Sequence, residues 1–394
     1  MKPNRFYFIV ALAFFTGCDI SDNDISPTST FVKIYDDNRF EVEYYPLDVI
    51  QTADNGYLVL SELKNDQSLF TSVYVLKTDE LGNVLNQTEM IAPYANPVNS
   101  WSKIGDKYYF ICMDENNLIA NLVAVDNDGN LANPIPIPGI TYPLVSTVDE
   151  NNLVLLSFDN SNGESVISLI NETAQILQQA SYSIGAGVEV EKPIIDHLTR
   201  NGRELPFSIG KITNGLYYFN GFYNYTFSLV FTNFGSDPTG VCQGQLSAGG
   251  ISSVSSLGNN VFGISRFNFS DNYINPISNI PTSDITSSID LGGNIFPEMA
   301  SEARVKLLNI EQEAKWLYAT NTISKQIIIQ GFSQNTGDIL STEYVGEGNP
   351  FSFASFRITN DGGLVILAKT AVEGRFQRIA IFKRDAKYVR GLLH

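Results

Sequence analysis

Few side chains in this sequence have the type and spacing that catalysis needs. There are two histidines, His197 and the terminal His394. A histidine metal site needs several clustered ligands. A Ser-His-Asp triad would have to use His197, inside Ile194-Ile195-Asp196-His197-Leu198, and no GxSxG turn is present to carry the serine. A hydrogen-bonded loop histidine is the plainer reading. The 42 acidic residues leave numerical room for a glycosidase-type pair of carboxylates. Asp126-Asn127-Asp128-Gly129 begins like a calcium loop but lacks the downstream acidic ligand. The stretch from Tyr217 to Phe234 is dense in Tyr, Phe and Asn. Its Tyr217, Tyr218, Tyr223 and Tyr225 are candidate ligand-binding residues, because an aromatic face can stack on a sugar ring; strand packing accounts for the same composition. Of the three cysteines, Cys112 and Cys242 read as buried free thiols, with a disulfide between them as the alternative. Neither belongs to a CxxC or other metal-type spacing, so neither a metal nor a cofactor is expected.

The elements that would position these groups come from a recurring phrase. Residues 48–60 read DVIQTADNGYLVL and residues 73–85 read VYVLKTDELGNVL. Asn55-Gly56 and Gly82-Asn83 supply the positive φ that tight hairpins require. Tyr57-Leu58-Val59-Leu60 is apolar at every position rather than alternating, which predicts a strand buried on both faces. Altered copies follow at 107–131, at 148–177 (with Ala174 where glycine stood), at 212–231, at 257–264, at 316–339 and at 358–382. About seven units at a spacing of roughly 45–60 residues match the period of propeller blades. The fold expected is all-β: a β-propeller of about seven four-stranded blades, with six or eight as the neighbouring counts. The last unit stops near Val389, short of an outer strand. Phe31–Tyr35 is strand-like and spare, so this N-terminal strand is expected to complete the last blade and close the ring. The propeller domain spans 31–394. A long insertion at about 267–302, polar and low in strand signal, reads either as disordered or as a partner-binding loop.

The N-terminus is an address. Lys2 and Arg5 precede a ten-residue apolar stretch, Phe6 to Phe15, which is shorter than the about 20 residues that a membrane-spanning helix needs and suits a signal peptide. Phe15-Thr16-Gly17-Cys18 resembles the lipobox of bacterial lipoproteins. That resemblance implies a signal peptide over 1–17 and lipidation of Cys18, with palmitate-type acyl chains holding the chain to a membrane. Residues 18–30 form an acidic, polar tether. Its Asp19, Asp22 and Asp24 resemble the surface-export signal of Bacteroidota-type lipoproteins, which implies an outer-membrane, cell-surface location.

The VIQTADNGYLVL…VYVLKTDELGNVL phrase resembles a family of bacterial secreted β-propeller proteins with a consensus close to sviqT.DGGyiiaG followed by KtD.nGnv.W. Asn86 stands where that family often has tryptophan. The resemblance implies fold and setting and carries no single activity. No Asp-box, WD dipeptide or kelch diglycine pattern is present. A net charge of −17 argues against a nucleic-acid partner, which needs a basic surface. Three functions fit. The first is a non-catalytic binding or scaffold subunit of a membrane protein complex or uptake system, with an unidentified protein partner. The second is a polysaccharide-binding or glycoside-degrading surface lipoprotein, with a glycan ligand. The third is a structural or adhesive surface protein.

Overall fold

The computed structural model describes residues 30–394 apart from 38, 40, 66–68, 214, 301–302, 347 and 373–375. The signal peptide, Cys18 and the tether up to residue 29 lie outside the described residues. The described chain is a β-propeller of mostly antiparallel strands. Its strands form six hydrogen-bonded sheets. The nine-stranded sheet contains Val42–Gln51, Tyr57–Asn65, Ser72–Thr78, Val84–Glu89, Tyr94–Ala95, Ser102–Ile104, Lys107–Asp114, Ile119–Val125 and Ile135–Thr141. A four-stranded sheet follows, of Pro143–Asp149, Asn152–Asp159, Glu164–Asn171 and Ile176–Ser183. The five-stranded sheet is Ser208–Thr213, Leu216–Tyr223, Thr226–Thr232, Gly240–Gln243 and Ile285–Ser287. Two four-stranded sheets come next: Gly249–Gly258, Val261–Asn268, Asp271–Asn279 and Asn294–Ile295, then Lys306–Ile310, Lys315–Asn321, Ile327–Ser333 and Ile339–Val345. The last sheet joins Phe351–Ile358, Leu364–Val372 and Phe376–Arg384 to Phe31–Tyr35, which pairs antiparallel with Phe376–Arg384.

The expectation of about seven separate four-stranded blades is therefore corrected. Five sheets have the four or five strands of a blade, and the sixth has nine. The count fails because the first two sequence copies share one sheet. Tyr94–Ala95 pairs with the strand Ser72–Thr78 on one side and with Lys107–Asp114 on the other, and a two-residue strand has no sequence signature. The segment 267–302 differs from expectation too. It carries the strands Asp271–Asn279, Ile285–Ser287 and Asn294–Ile295. Ile274, Ile280, Phe296 and Met299 within it are buried, while Phe269, Ile285 and Ile295 are exposed. The second of these strands, Ile285–Ser287, crosses to the neighbouring sheet and pairs parallel with Gly240–Gln243.

Burial on both faces explains the apolar runs. Leu58 and Leu60 pack with Phe110 and Val123 on one side of their strand. Tyr57 and Val59 pack on the other side with Val365, Leu367 and Ile381, so the last sheet lies directly against the first. Adjacent residues of one strand thus feed two cores, which only a sheet covered on both sides permits.

The recurring turn residues have a physical reason. Asp79 Oδ1 accepts from the Leu81 and Asn83 amides at 2.9 and 2.7 Å, and its Oδ2 accepts from Asn83 Nδ2 at 2.7 Å. Asp126 repeats this with the Asp128 and Asn130 amides at 2.9 and 2.8 Å and with Asn130 Nδ2 at 2.9 Å. The carboxylate of the calcium-like motif is thus engaged by its own turn. Gly82 and Gly129 sit at φ of 75° and 81°, and Ala174 keeps the left-handed conformation at 63°. A second device ties a turn to the strand beside it. Lys77 Nζ donates to Asp54 Oδ1 and Oδ2 at 2.7 and 2.8 Å and to Thr52 Oγ1 at 2.6 Å, while the Gly56 amide donates to Asp54 at 3.1 Å. Lys383, Asp361 and the Gly363 amide repeat it in the last sheet. The Thr-x-Asp-x-Gly and Lys-Thr-Asp pieces of the repeat are therefore two halves of one clamp.

Candidate functional site

One large cavity lies among the described residues. It has a volume of about 790 Å³, inside the range of about 300–1,000 Å³ typical of small-ligand sites. Its wall takes Asp48 from the strand Val42–Gln51, Val145 to Thr147 from the next sheet, and Ser208 and Ile209 from the third. Ser252 and Ser253, then Arg304, Val305, Lys306, Leu308 and Asn309, and Ala354, Phe356, Arg357 and Ile358 line the rest of that wall. Each of these strands opens its sheet or sequence copy, so the cavity is the axial space around which the sheets are arranged. The connection after the helix Glu191–Leu198 also enters it, with Arg203 to Phe207 on the wall.

Charge is concentrated there. Four basic side chains, Arg203, Arg304, Lys306 and Arg357, face two acidic ones, Asp48 and Glu204, in a chain of net charge −17. Asp48 is buried, and its oxygens accept from Lys306 Nζ at 3.0 Å, from the Trp101 amide at 3.0 Å, and from Ser355 Oγ and Arg357. Burial pushes its carboxyl up, but the charges of Arg357 and Lys306 and these hydrogen bonds outweigh that and hold it well below the usual carboxylate range. Burial pushes the Lys306 ammonium down, only partly offset by Asp48. Lys306 and Arg357 keep 34% and 32% of their side-chain surface open, against 2% for Asp48. The cations thus face the cavity and the carboxylate lies behind them.

A second network holds the connection in place. Arg200 Nε donates to Glu62 at 2.5 Å and its Nη1 lies 3.4 Å from Glu204, which also pairs with Arg304. Glu204 is surrounded by protein yet keeps 40% of its side chain open, because the space beside it is the cavity. Burial pushes its carboxyl up, and Arg304 and Arg200 more than reverse this, leaving it well below the ordinary value. Glu62, with burial dominant, is raised despite Arg200. His197 lies in the last turn of the helix rather than in a loop. Its Nδ1 accepts from the Leu205 amide at 2.9 Å, and burial pushes the imidazole down to about 3, so it is neutral and structural in its bonding.

The four tyrosines do not converge. Tyr217 is buried and donates to Asp149 Oδ2 at 2.7 Å. Tyr218, on the opposite face of the same strand, is buried against Phe262 and donates to the Val254 carbonyl at 3.2 Å. Tyr223 packs edge-on against Tyr182, and Tyr225 is exposed at the hairpin tip beside Gly185. None of the four lines the cavity. Cys112 and Cys242 are both free and buried. Among the described residues no group of three or more His, Cys, Asp or Glu is placed to hold a metal, and no helix is long and apolar enough to cross a membrane.

The cavity residues carry no sequence signal of their own. Asp48 and its partners Lys306 and Arg357 are 258 and 309 positions apart, so no local spacing announces them. The one signal available lay in the segment 267–302, whose break from the repeat does supply wall residues: Phe267, Phe269, Ser270, Asn272 and Met299.

No protein-family model matches the sequence, and no curated protein matches it. Among solved structures, the chain is similar to the β-propeller domain of the Trilobed protease from Pyrococcus furiosus, described as having an open velcro topology. The TM-score is 0.52 at 10% identity, covering 88% of this chain and 96% of that one. A protein of unknown function from Bacteroides caccae aligns over 80% of this chain and 86% of its own, with a TM-score of 0.40 at 10% identity. The Dos1 propeller aligns over 86% and 78%, with a TM-score of 0.45 at 12% identity. The first of these supports the class, a β-propeller, and at such identity it supports the fold alone.

Proposed function

We propose that this chain is a lipid-anchored, cell-surface propeller that binds a small ligand in its axial cavity. It would serve as the non-catalytic binding subunit of an outer-membrane uptake system. The address rests on Cys18 and the acidic tether. The binding role rests on one observation: the carboxyls of the cavity wall are both held as ion pairs. Acid–base cleavage of a glycoside needs one carboxyl with a raised pKa to donate a proton. Asp48 and Glu204 are both lowered. Fixed charges on rigid strands favour recognition instead, since preorganised groups lose little freedom when a ligand arrives.

The test is native mass spectrometry with thermal shift on the purified full chain, screened against neutral and charged sugars, peptides and nucleosides. Saturable binding that is weakened by Arg357→Gln supports the reading. A chain that takes up no small molecule, but after mild crosslinking recovers a stable protein partner unaffected by Arg357→Gln, overturns it in favour of a scaffold. For the address, Cys18→Ala should move the protein from the membrane to the soluble fraction; retention at the membrane would exclude lipidation at Cys18 as the anchor.

A further inference from the structure

The charges in the cavity do not balance locally, and the imbalance has a direction. Glu204 and Glu62 answer Arg200 and Arg304. Asp48 alone answers both Lys306 and Arg357. Its bonds to Lys306, Ser355, Arg357 and the Trp101 amide use the roughly four acceptor positions that a carboxylate has. That cluster is left with one positive charge in excess, and Arg357 Nε has no hydrogen-bond partner.

The wall also holds unmade hydrogen bonds. Ser146 Oγ and Ser208 Oγ lack partners, and Ser146 is only 3% exposed. Buried hydroxyls are nearly always bonded, so each unbonded one asks for a missing group. Seven serines line the cavity in all. An apolar surface stands beside them. Phe269 lines the cavity, is 73% exposed, and is held at a φ of 51° with its amide donating to the Ala248 carbonyl at 2.9 Å. That conformation belongs to the short turn between Val261–Asn268 and Asp271–Asn279, which holds the ring at the cavity.

We propose that the axial cavity is a site for a small anionic sugar: its oxyanion would lie at Lys306 and Arg357, its hydroxyls at the serine-lined wall, and one ring face on Phe269. A carboxylate and a sulfate ester share this chemistry, since both accept from an arginine in a planar or forked array. The inference rests on the cavity being a binding site and adds the class of ligand.

The test is isothermal titration calorimetry of the full chain with digalacturonate, galactobiose, galactose 6-sulfate and inorganic sulfate at matched ionic strength. The expected result is saturable binding of digalacturonate or galactose 6-sulfate at least tenfold tighter than either galactobiose or inorganic sulfate; the tighter of the two identifies the oxyanion. Arg357→Gln and Phe269→Ala should each weaken it about tenfold or more. Ser146→Ala combined with Ser208→Ala removes two unbonded hydroxyls, so the fold should keep its thermal midpoint while affinity falls. Equal affinity for galactobiose would overturn the anionic part and leave the binding function standing. Inorganic sulfate binding as tightly as the sugars would overturn the sugar part. Binding of none of the four overturns the inference, and the broader screen then decides the binding function separately.

Discussion

At the scale of single residues, Asp48 is the side chain on which the wall depends. It is 1% exposed and supplies the negative charge beside Lys306 and Arg357. Asp48→Asn keeps the shape and removes the charge, leaving two cations facing each other. Loss of one partner from a buried ion pair costs on the order of 3 kcal/mol, so the urea midpoint should fall clearly; an unchanged midpoint would mean the cations are screened by solvent. Added sulfate should recover part of the loss by taking the place of the carboxylate. His197 makes a second prediction. Its folded value of about 3 lies below the ordinary 6.5, so below pH 6.5 the unfolded chain takes up a proton that the folded chain refuses. Stability from this group is complete above pH 6.5 and falls as the pH drops toward 3, by about 1.4 kcal/mol per unit. His197→Asn, which can still accept from the Leu205 amide, should flatten that slope between pH 6.5 and 4.5 in denaturation curves.

At the scale of elements, the clamp between turn and strand sets what the repeat tolerates. Lys77 is 1% exposed while Asp54 remains 39% open. Lys77→Met should lower stability by about 1–2 kcal/mol through the charged hydrogen bonds it removes. Gly56→Ala should do more harm, because a Cβ there would overlap the Thr78 carbonyl and sit 2.6 Å from Lys77 Nζ; overpacking of that kind costs about 1–3 kcal/mol, and the clamp is lost with it. A reversed ranking in urea denaturation would show the turn to be more compliant than its packing implies. These elements were legible because each repeat writes them in adjacent residues: Asp79 with Gly82 and Asn83, Tyr57 to Leu60 apolar at every position. The sheet count was not legible, because Tyr94–Ala95 joins two copies through two residues. The helix Glu191–Leu198 was missed for another reason. It is short and buries only Ile194, His197 and Leu198, too few positions for a helical period to emerge. The cavity was hidden by distance along the chain, since its charges come from strands of separate copies. The Tyr-rich stretch attracted notice by density alone, and Tyr217 and Tyr218 turn out to serve two different cores.

At the scale of the whole molecule, the strand Phe31–Tyr35 holds the two ends of the array together. Its backbone pairs with Phe376–Arg384, placing Phe31 opposite Lys383 and Tyr35 opposite Ile379. Its side chains reach the other way. Phe31 packs edge-on against Tyr57 at 6.3 Å, and Tyr35 donates to the Gly82 carbonyl at 2.9 Å, both in the nine-stranded sheet. A Cβ at Gly82 would lie 2.6 Å from the Phe31 ring, so this turn glycine also makes room for the strand. Just beyond, Asp36 takes the Nε of Arg378 at 2.8 Å, a guanidinium only 2% exposed. Removing residues 31–36 would uncover the edge of the last sheet, free the Gly82 turn and leave Arg378 buried without that carboxylate. The last sheet and the nine-stranded sheet would still share the core around Val49, Val59, Leu367 and Ile381, so the chain should fold, but with its two ends less firmly joined. Differential scanning calorimetry should show a lower and broader transition for the deletion than for the intact chain. The paired control Asp36→Asn should lower the midpoint without broadening it, because it removes the charge and keeps the strand. If the deletion matched the control, the strand would be an appendage rather than a strap.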